Sequence, residues 1–302
     1  MKKFDELYLA KSLPRVGNTR INKDLLSMVE HSLGLEDFIL KLQYMGFNSS
    51  DITQAKNALS EVKKQLSDHP EIACITVLDD EYPKRFHLIG NSKPVILYAK
   101  GNTTLLERNT LAIIGTRHPG EHMQKYGHRI ISRALADKNN VVVSGLAMGC
   151  DQMAHEEALA NNVDTVAILP SGIEKISPKS NQKLADQIVA NNGLLLSEYE
   201  PNTSATKFSP VQRDTLVAAL SDKLLILECG EKSGTMQTAA KGIELHKNVA
   251  AYFPEDKVSG DYNGNMFLIR RDGAIKIRTG EELERFVTSK CSSDYLEEQL
   301  SF

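Results

Sequence analysis

The chain has 302 residues, with 36 Lys and Arg against 39 Asp and Glu, for a formal net charge of −3. That balance excludes a chain that is basic throughout, as many non-specific nucleic-acid binders are, while leaving room for a local basic face. Hydrophobic residues at 41% and charged residues at 25% are ordinary for a soluble globular protein, and no run of about 18 apolar residues or signal-like N-terminus interrupts the pattern, so a cytoplasmic protein without membrane association is expected.

Residues 1–70 read as a small all-helical domain. "FDELYLAKSL", "NKDLLSMVEHSL", "LEDFILKLQYMG" and "SSDITQAKNALSEVKKQLSD" repeat apolar residues every three to four positions, with Asn22 and Ser50 expected as N-caps. "LPRVG" and "MGFNSSD" supply the turns between them. Over 71–109 the pattern changes to a β-rich lead-in carrying "ACITVL" and "PVILYA".

From there to residue 290 strands and helices alternate. Strands are expected at 110–114, 140–144, 163–169, 193–197, 222–229, 248–253 and 274–277, and helices at 121–138, 150–161, 181–191, 211–220, 234–246 and 279–289. Strands such as "VVVSG", "TVAIL" and "LLILE" are apolar on both faces, as parallel strands under helices are, which points to an α/β doubly wound, mostly parallel sheet. A short acidic tail, 291–302, follows. Cys74, Cys150, Cys229 and Cys291 lie far apart without CxxC spacing, so reduced thiols are expected rather than a zinc site or a disulfide framework.

Ligands of an open parallel sheet gather at the carboxyl ends of its strands. Four such ends are rich in Gly, Ser and Thr: "GTRHPG" at 115–120, "SGLAMGCD" at 144–151, "LPSGIEKISP" at 169–178 and "CGEKSGTMQTA" at 229–239. Each alone has an ordinary account in tight turns and helix caps. Their recurrence around one crevice suits an anion held by backbone N–H groups at helix N-termini. None matches the dinucleotide or Walker strings, so no cofactor and no metal are expected.

Arg117 offers a guanidinium fork for phosphate with Thr116 as a further donor, unless Arg117 simply pairs with a surface carboxylate. It lies in the most basic stretch of the chain, where Arg108, Arg117, Lys125, Arg129, Arg133 and Lys138 stand against Glu107, Glu121 and Asp137, interleaved with His118, His122 and His128. In "TKFSPVQRD", Lys207, Phe208 and Arg213 combine charge with an aromatic ring, as single-stranded nucleic acid requires, although Phe208 taken alone reads as a core residue at a helix start. Catalytic signals are weak. Asp151 and His155 read as a helix cap with a packed histidine; Glu198 and Glu228 each end a strand and could form an acid–base pair, Glu228 being better suited to ordering loops.

Taken together, "LPRVG", "LDDEYPKRF", "KPVILYAKG", "AIIGTR", "VVSGLAMGCDQMAH", "LPSGI", "LLSEYEP", "LVAALSD" and "KSGTMQTA" resemble, in order and spacing, the DprA/Smf DNA-processing family. The resemblance implies a SAM-like N-terminal domain and a Rossmann-like domain that binds single-stranded DNA in its pocket and forms a homodimer. It further implies a non-enzymatic role: loading RecA onto DNA in transformation or recombination and displacing the single-strand-binding protein. By position, the implied pocket residues are Gly115, Thr116, Arg117, Ser144, Gly145, Gly149, Lys207, Arg213, Ser233, Gly234 and Thr235. Departures stand at Met148, where the family usually has Arg, and at Asp214 and Thr215, which replace an Asn and an Arg; weaker DNA binding is expected from them. No stretch matching the family's C-terminal winged-helix domain follows residue 290. Two other readings stay open: a nucleotide-binding or nucleotide-hydrolysing enzyme like the phosphoribohydrolases, whose PGGxGTxxE string is matched here only by "EKSGTMQTA", and an interaction module without a ligand.

Overall fold

The computed structural model describes residues 2–254 and 258–290, so Cys291 and the tail lie outside the described residues. The helical part comprises α1 (Phe4–Lys11), α2 (Asn18–Arg20), α3 (Leu26–Glu30), α4 (Leu35–Tyr44) and α5 (Ser49–Asp68), with a π-helical stretch at Ile21–Leu25 joining α2 to α3. In α5 the buried positions are Ile52, Ala55, Leu59 and Val62, one stripe at helical spacing.

Both expected caps are displaced. Asn48 caps α5, its side chain accepting from Asp51 N at 2.8 Å, while Ser50 sits inside the first turn. Asn22 lies within the π-helical stretch, and its Nδ2 donates to the carbonyls of Asn18 (3.0 Å) and Lys93 (2.8 Å), tying the helices to the lead-in.

Nine strands form one sheet: β1 (Ile72–Thr76), β2 (Ile96–Gly101), β3 (Thr110–Ile114), β4 (Val141–Ser144), β5 (Thr165–Ile168), β6 (Leu194–Ser197), β7 (Lys223–Ile226), β8 (Asn248–Tyr252) and β9 (Ile275–Ile277), in the order β1-β2-β6-β5-β4-β3-β7-β8-β9. The lead-in pair is antiparallel, β1 to β2 and β2 to β6, and every other pairing is parallel. The chain winds outward from β3 through β6, then returns to β3's other side with β7. This reversal opens a crevice at the carboxyl ends of β3 and β7, where an open α/β sheet binds ligands.

The connecting helices are α6 (Glu121–Ala134), α7 (Cys150–Ala160), α8 (Gln182–Ala190), α9 (Ser209–Leu220), α10 (Gly234–Glu244), α11 (Asn263–Arg271) and α12 (Gly280–Thr288). Alternation along β3 feeds two cores: Leu111 and Ile113 pack with residues of α6, α7 and α12, whereas Ala112 and Ile114 join a cluster shared with α9, α10 and the N-terminal helices. No helix among the described residues is long and apolar enough to cross a membrane. Cys74, Cys150 and Cys229 are free thiols.

Ile113 is fully buried on the central strand. Truncation to Ala leaves a cavity that close packing cannot fill, so Ile113→Ala is expected to cost roughly 2–5 kcal/mol, measured as a lower urea midpoint.

Candidate functional site

A cleft of about 320 Å³ occupies the crevice between β3 and β7. Gly115, Thr116, Arg117 and His118 wall it on one side, Ser233, Gly234, Thr235 and Thr238 on another, and Ala147, Asp151, Arg213 and Asp214 close it below. Gly115 is required for close approach, since a Cβ there would fall 2.6 Å from Cys150 Sγ and 3.0 Å from the Glu228 carbonyl oxygen. Thr116 N donates to the Glu228 carbonyl at 2.7 Å, and Cys150 N donates to the Thr116 carbonyl at 3.1 Å. The loop after β3 is therefore clamped between β7 and the start of α7. Glu228 adds a second clamp: its buried carboxylate accepts from Gly120 N at 3.0 Å and from Asp261 N at 2.9 Å.

Arg117 is exposed and, among the described residues, lies within ion-pair distance of no carboxylate, although its charge acts on the nearby cleft carboxyl of Asp214. Arg117 lines the same cleft as the N-terminus of α10, through its first residues, Gly234 and Thr235, and the N-cap residue Ser233. The first helical turn of α10 and one guanidinium thus border one space, an arrangement suited to an anion.

The other predicted residues divide. Arg213 lines the cleft but is buried: Nη1 donates to the carbonyls of Gly145 and Ile168 (2.9 Å), and Nε to Asp214 Oδ1 at 2.9 Å. It thereby staples the ends of β4 and β5 together instead of standing free as a phosphate contact. Ser144 is buried, with Oγ donating to the Ile113 carbonyl at 2.7 Å, and Gly145 lies flat against the Arg213 guanidinium. Both support the cleft from behind. Gly149, at φ 78°, brings the start of α7 against the backbone of Thr116 and Arg117. Lys207 and Phe208 lie outside the cleft; Phe208 is 65% exposed, against the expectation of a core residue, with Lys207 Nζ 4.8 Å above its ring.

The carboxylates also depart from the sequence reading. Gly149, not Asp151, holds the cap position of α7; Asp151 Oδ2 instead accepts from Gly145 N at 3.2 Å. Burial pushes the Asp151 carboxyl up to about 6, the nearby Arg213 opposing and Asp214 adding to the effect. His155 turns away, with Nδ1 2.8 Å from Thr165 Oγ1, and burial lowers its imidazole to about 3. Glu198 does not meet Glu228: it accepts from Asn18 Nδ2 at 3.2 Å and lines a separate cleft beside the N-terminal helices, with Thr215. Asp214 lines the main cleft, and burial raises its carboxyl as well.

Sequence reasoning missed Thr238 and Ala147, small residues with no chemical signal of their own. It also passed over the Lys179–Asn181 turn, which Asn181 Nδ2 ties to the loop after β4 by donating to the Leu146 carbonyl at 3.0 Å, and in which Lys179 is exposed.

Residues 73–288 match the family model described as DNA recombination-mediator protein A. The chain belongs to that family. It is similar to the DNA processing protein DprA of Streptococcus pneumoniae, 31% identical over 226 residues that cover 74% of this chain and 76% of the relative. The X-ray structure of S. pneumoniae DprA superposes with a TM-score of 0.77 at 28% identity, covering 94% of this chain and 98% of that one. A structure of DNA processing protein A from Helicobacter pylori, which describes that protein's single-stranded DNA binding mode, gives a TM-score of 0.61 at 31% identity, covering 76% of this chain and 97% of that one.

Because the Asp151 pKa is raised on folding, its contribution to stability is full below pH 4 and lost as pH rises through about 6. Urea unfolding across pH 4–7 is expected to show a decline of about 2–3 kcal/mol from this group, and Asp151→Asn, which retains an acceptor for Gly145 N, is expected to flatten that part of the profile.

Proposed function

We propose that the cleft binds the phosphate backbone of single-stranded DNA and that the chain acts as a recombination mediator by holding DNA, not by catalysis. One observation carries this reading: an exposed Arg117 shares a preorganised cleft with the N-terminus of α10. The family membership and the DNA binding of the H. pylori relative support it. Lys179 and the Lys207–Phe208 pair extend the recognition beyond the cleft, the ring stacking on a base while the ammonium groups follow the backbone. Hydrolysis gains no support, since Asp151 is bound to Gly145 N and Asp214 to Arg213.

In this reading the protein works in the cytoplasm as a homodimer, loads RecA onto single strands and displaces the single-strand-binding protein. RecA-dependent ATP hydrolysis on strands coated with that protein is expected to start sooner when this chain is added; an unchanged lag would argue against the loading step.

Fluorescence anisotropy with labelled oligo-dT at several salt concentrations tests the cleft. Arg117→Ala is expected to weaken binding and to reduce the salt slope by about one. Met148 is exposed beside the cleft, and Met148→Arg is expected to strengthen binding and to steepen the slope by about one. Wild-type affinity is expected to rise as pH falls through about 6 and Asp151 loses its charge. Unchanged binding in Arg117→Ala would refute the proposal.

A further inference from the structure

A second groove, of about 340 Å³, lies on the other side of the 118–122 turn, at the carboxyl ends of β8 and β9. One wall is a face of α6, where His122, Tyr126, Arg129 and Arg133 recur at helical spacing. Opposite stand Tyr252, at the end of β8, and Arg278, just after β9. The His122 and Tyr252 rings are nearly parallel, with centroids 6.1 Å apart at 17°, and are joined at their edges by a 3.0 Å hydrogen bond between His122 Nε2 and Tyr252 Oη. Tyr126 extends this cluster toward solvent, with its ring 5.1 Å from His122 and a side chain 38% exposed.

The charges are arranged unevenly. Arg133 pairs with Glu284 at 2.9 Å and Arg278 with Glu282 at 3.7 Å, whereas Arg129, exposed, has no carboxylate partner among the described residues. No carboxylate lines the groove itself among those residues. Burial shifts the His122 imidazole toward its neutral form, and Lys125 Nζ, 5.0 Å from the Tyr126 ring centroid, adds a cation beside the outer ring. Gly280 allows the close approach of the two walls, since a Cβ there would collide with the Arg133 guanidinium.

An aromatic platform beside an unpaired guanidinium, in a groove free of carboxylates, matches a base joined to a phosphate. We propose that this groove is a second nucleotide-binding subsite, in which a base stacks on Tyr126 at the His122–Tyr252 cluster and its phosphate binds Arg129. The occupant is either the next segment of a DNA strand leaving the main cleft, which rests on the function proposed above, or a free nucleotide. His118 lines the main cleft and His122 this groove, so a single turn of chain separates the two.

Titration of the full chain with short oligo-dT, long oligo-dT and thymidine or adenosine monophosphate distinguishes these sources. If a strand continues into the groove, Arg129→Ala and Tyr126→Ala weaken long oligo-dT roughly 5-fold or more, Tyr126→Phe restores it, and short oligo-dT is unaffected. If the ligand is free, mononucleotide binding is lost in Arg129→Ala and Tyr126→Ala and retained in Arg117→Ala. Both side chains are exposed, and unchanged thermal melting verifies that the variants fold. Long-oligonucleotide and mononucleotide binding that are unaltered in both alanine variants would overturn the proposal, as would an effect of Arg129→Ala alone, which marks a bare cationic patch. Short oligo-dT binding unaltered in Arg117→Ala would instead count against the main cleft, so the two readings fail separately.

Discussion

The cleft depends on one buried carboxylate. Glu228 follows β7, and through its side chain and its carbonyl it holds Gly120, Asp261 and Thr116. The Glu228 side chain itself is buried, and as a carboxylate it makes stronger bonds to the Gly120 and Asp261 donors than a neutral acceptor would. The result is a rigid turn from Thr116 to Gly120 that presents Arg117 outward. The same turn separates the main cleft from the groove along α6, so the positions of both sites derive from the same hydrogen bonds.

Arg213 plays the matching part on the other side of the crevice. Its guanidinium reaches the carbonyls of Gly145 and Ile168 and the carboxylate of Asp214. Burying that charge is tolerable because it is paired and hydrogen-bonded. The arrangement makes Asp214 structurally reasonable where an Asn would be expected from the family resemblance: the carboxylate balances a buried cation. It also reduces the net charge of the cleft floor, leaving Arg117 and the α10 N-terminus as the principal attraction for an anion.

Much of the fold was legible in advance. β3 matches its expected span, and the other strands of the parallel series lie within theirs, because buried parallel strands are short apolar runs with unmistakable breaks. The cap residues were less legible. Asn48 and Ser50 are both good caps, and only the direction of the chain entering α5 decides which side chain reaches a free N–H. Asn22, inside the π-helical stretch, donates from its side-chain amide to the carbonyls of Asn18, Asn91 and Lys93, two of them distant in sequence.

For the site, residue types and order alone pointed to four Gly-, Ser- and Thr-rich loops at the carboxyl end of a parallel sheet; the loops after β3, β4 and β7 line the main cleft, with Arg117 in the first of them, whereas the loop at 169–178 does not. Tertiary structure decided which polar groups face solvent. Arg117 and Arg213 look alike in sequence, yet one projects from a tight turn at the rim and the other lies under the loop after β4, 3% exposed. Phe208, which sequence alone leaves open between a core residue at a helix start and an exposed ring beside Lys207, stands outside because the segment before α9 runs over the surface. Periodicity reports which face of an element is apolar, whereas the burial of a charged side chain is decided by the packing of the sheet, which brings the distant carbonyls of Gly145 and Ile168 to Arg213 and, among the described residues, none to Arg117.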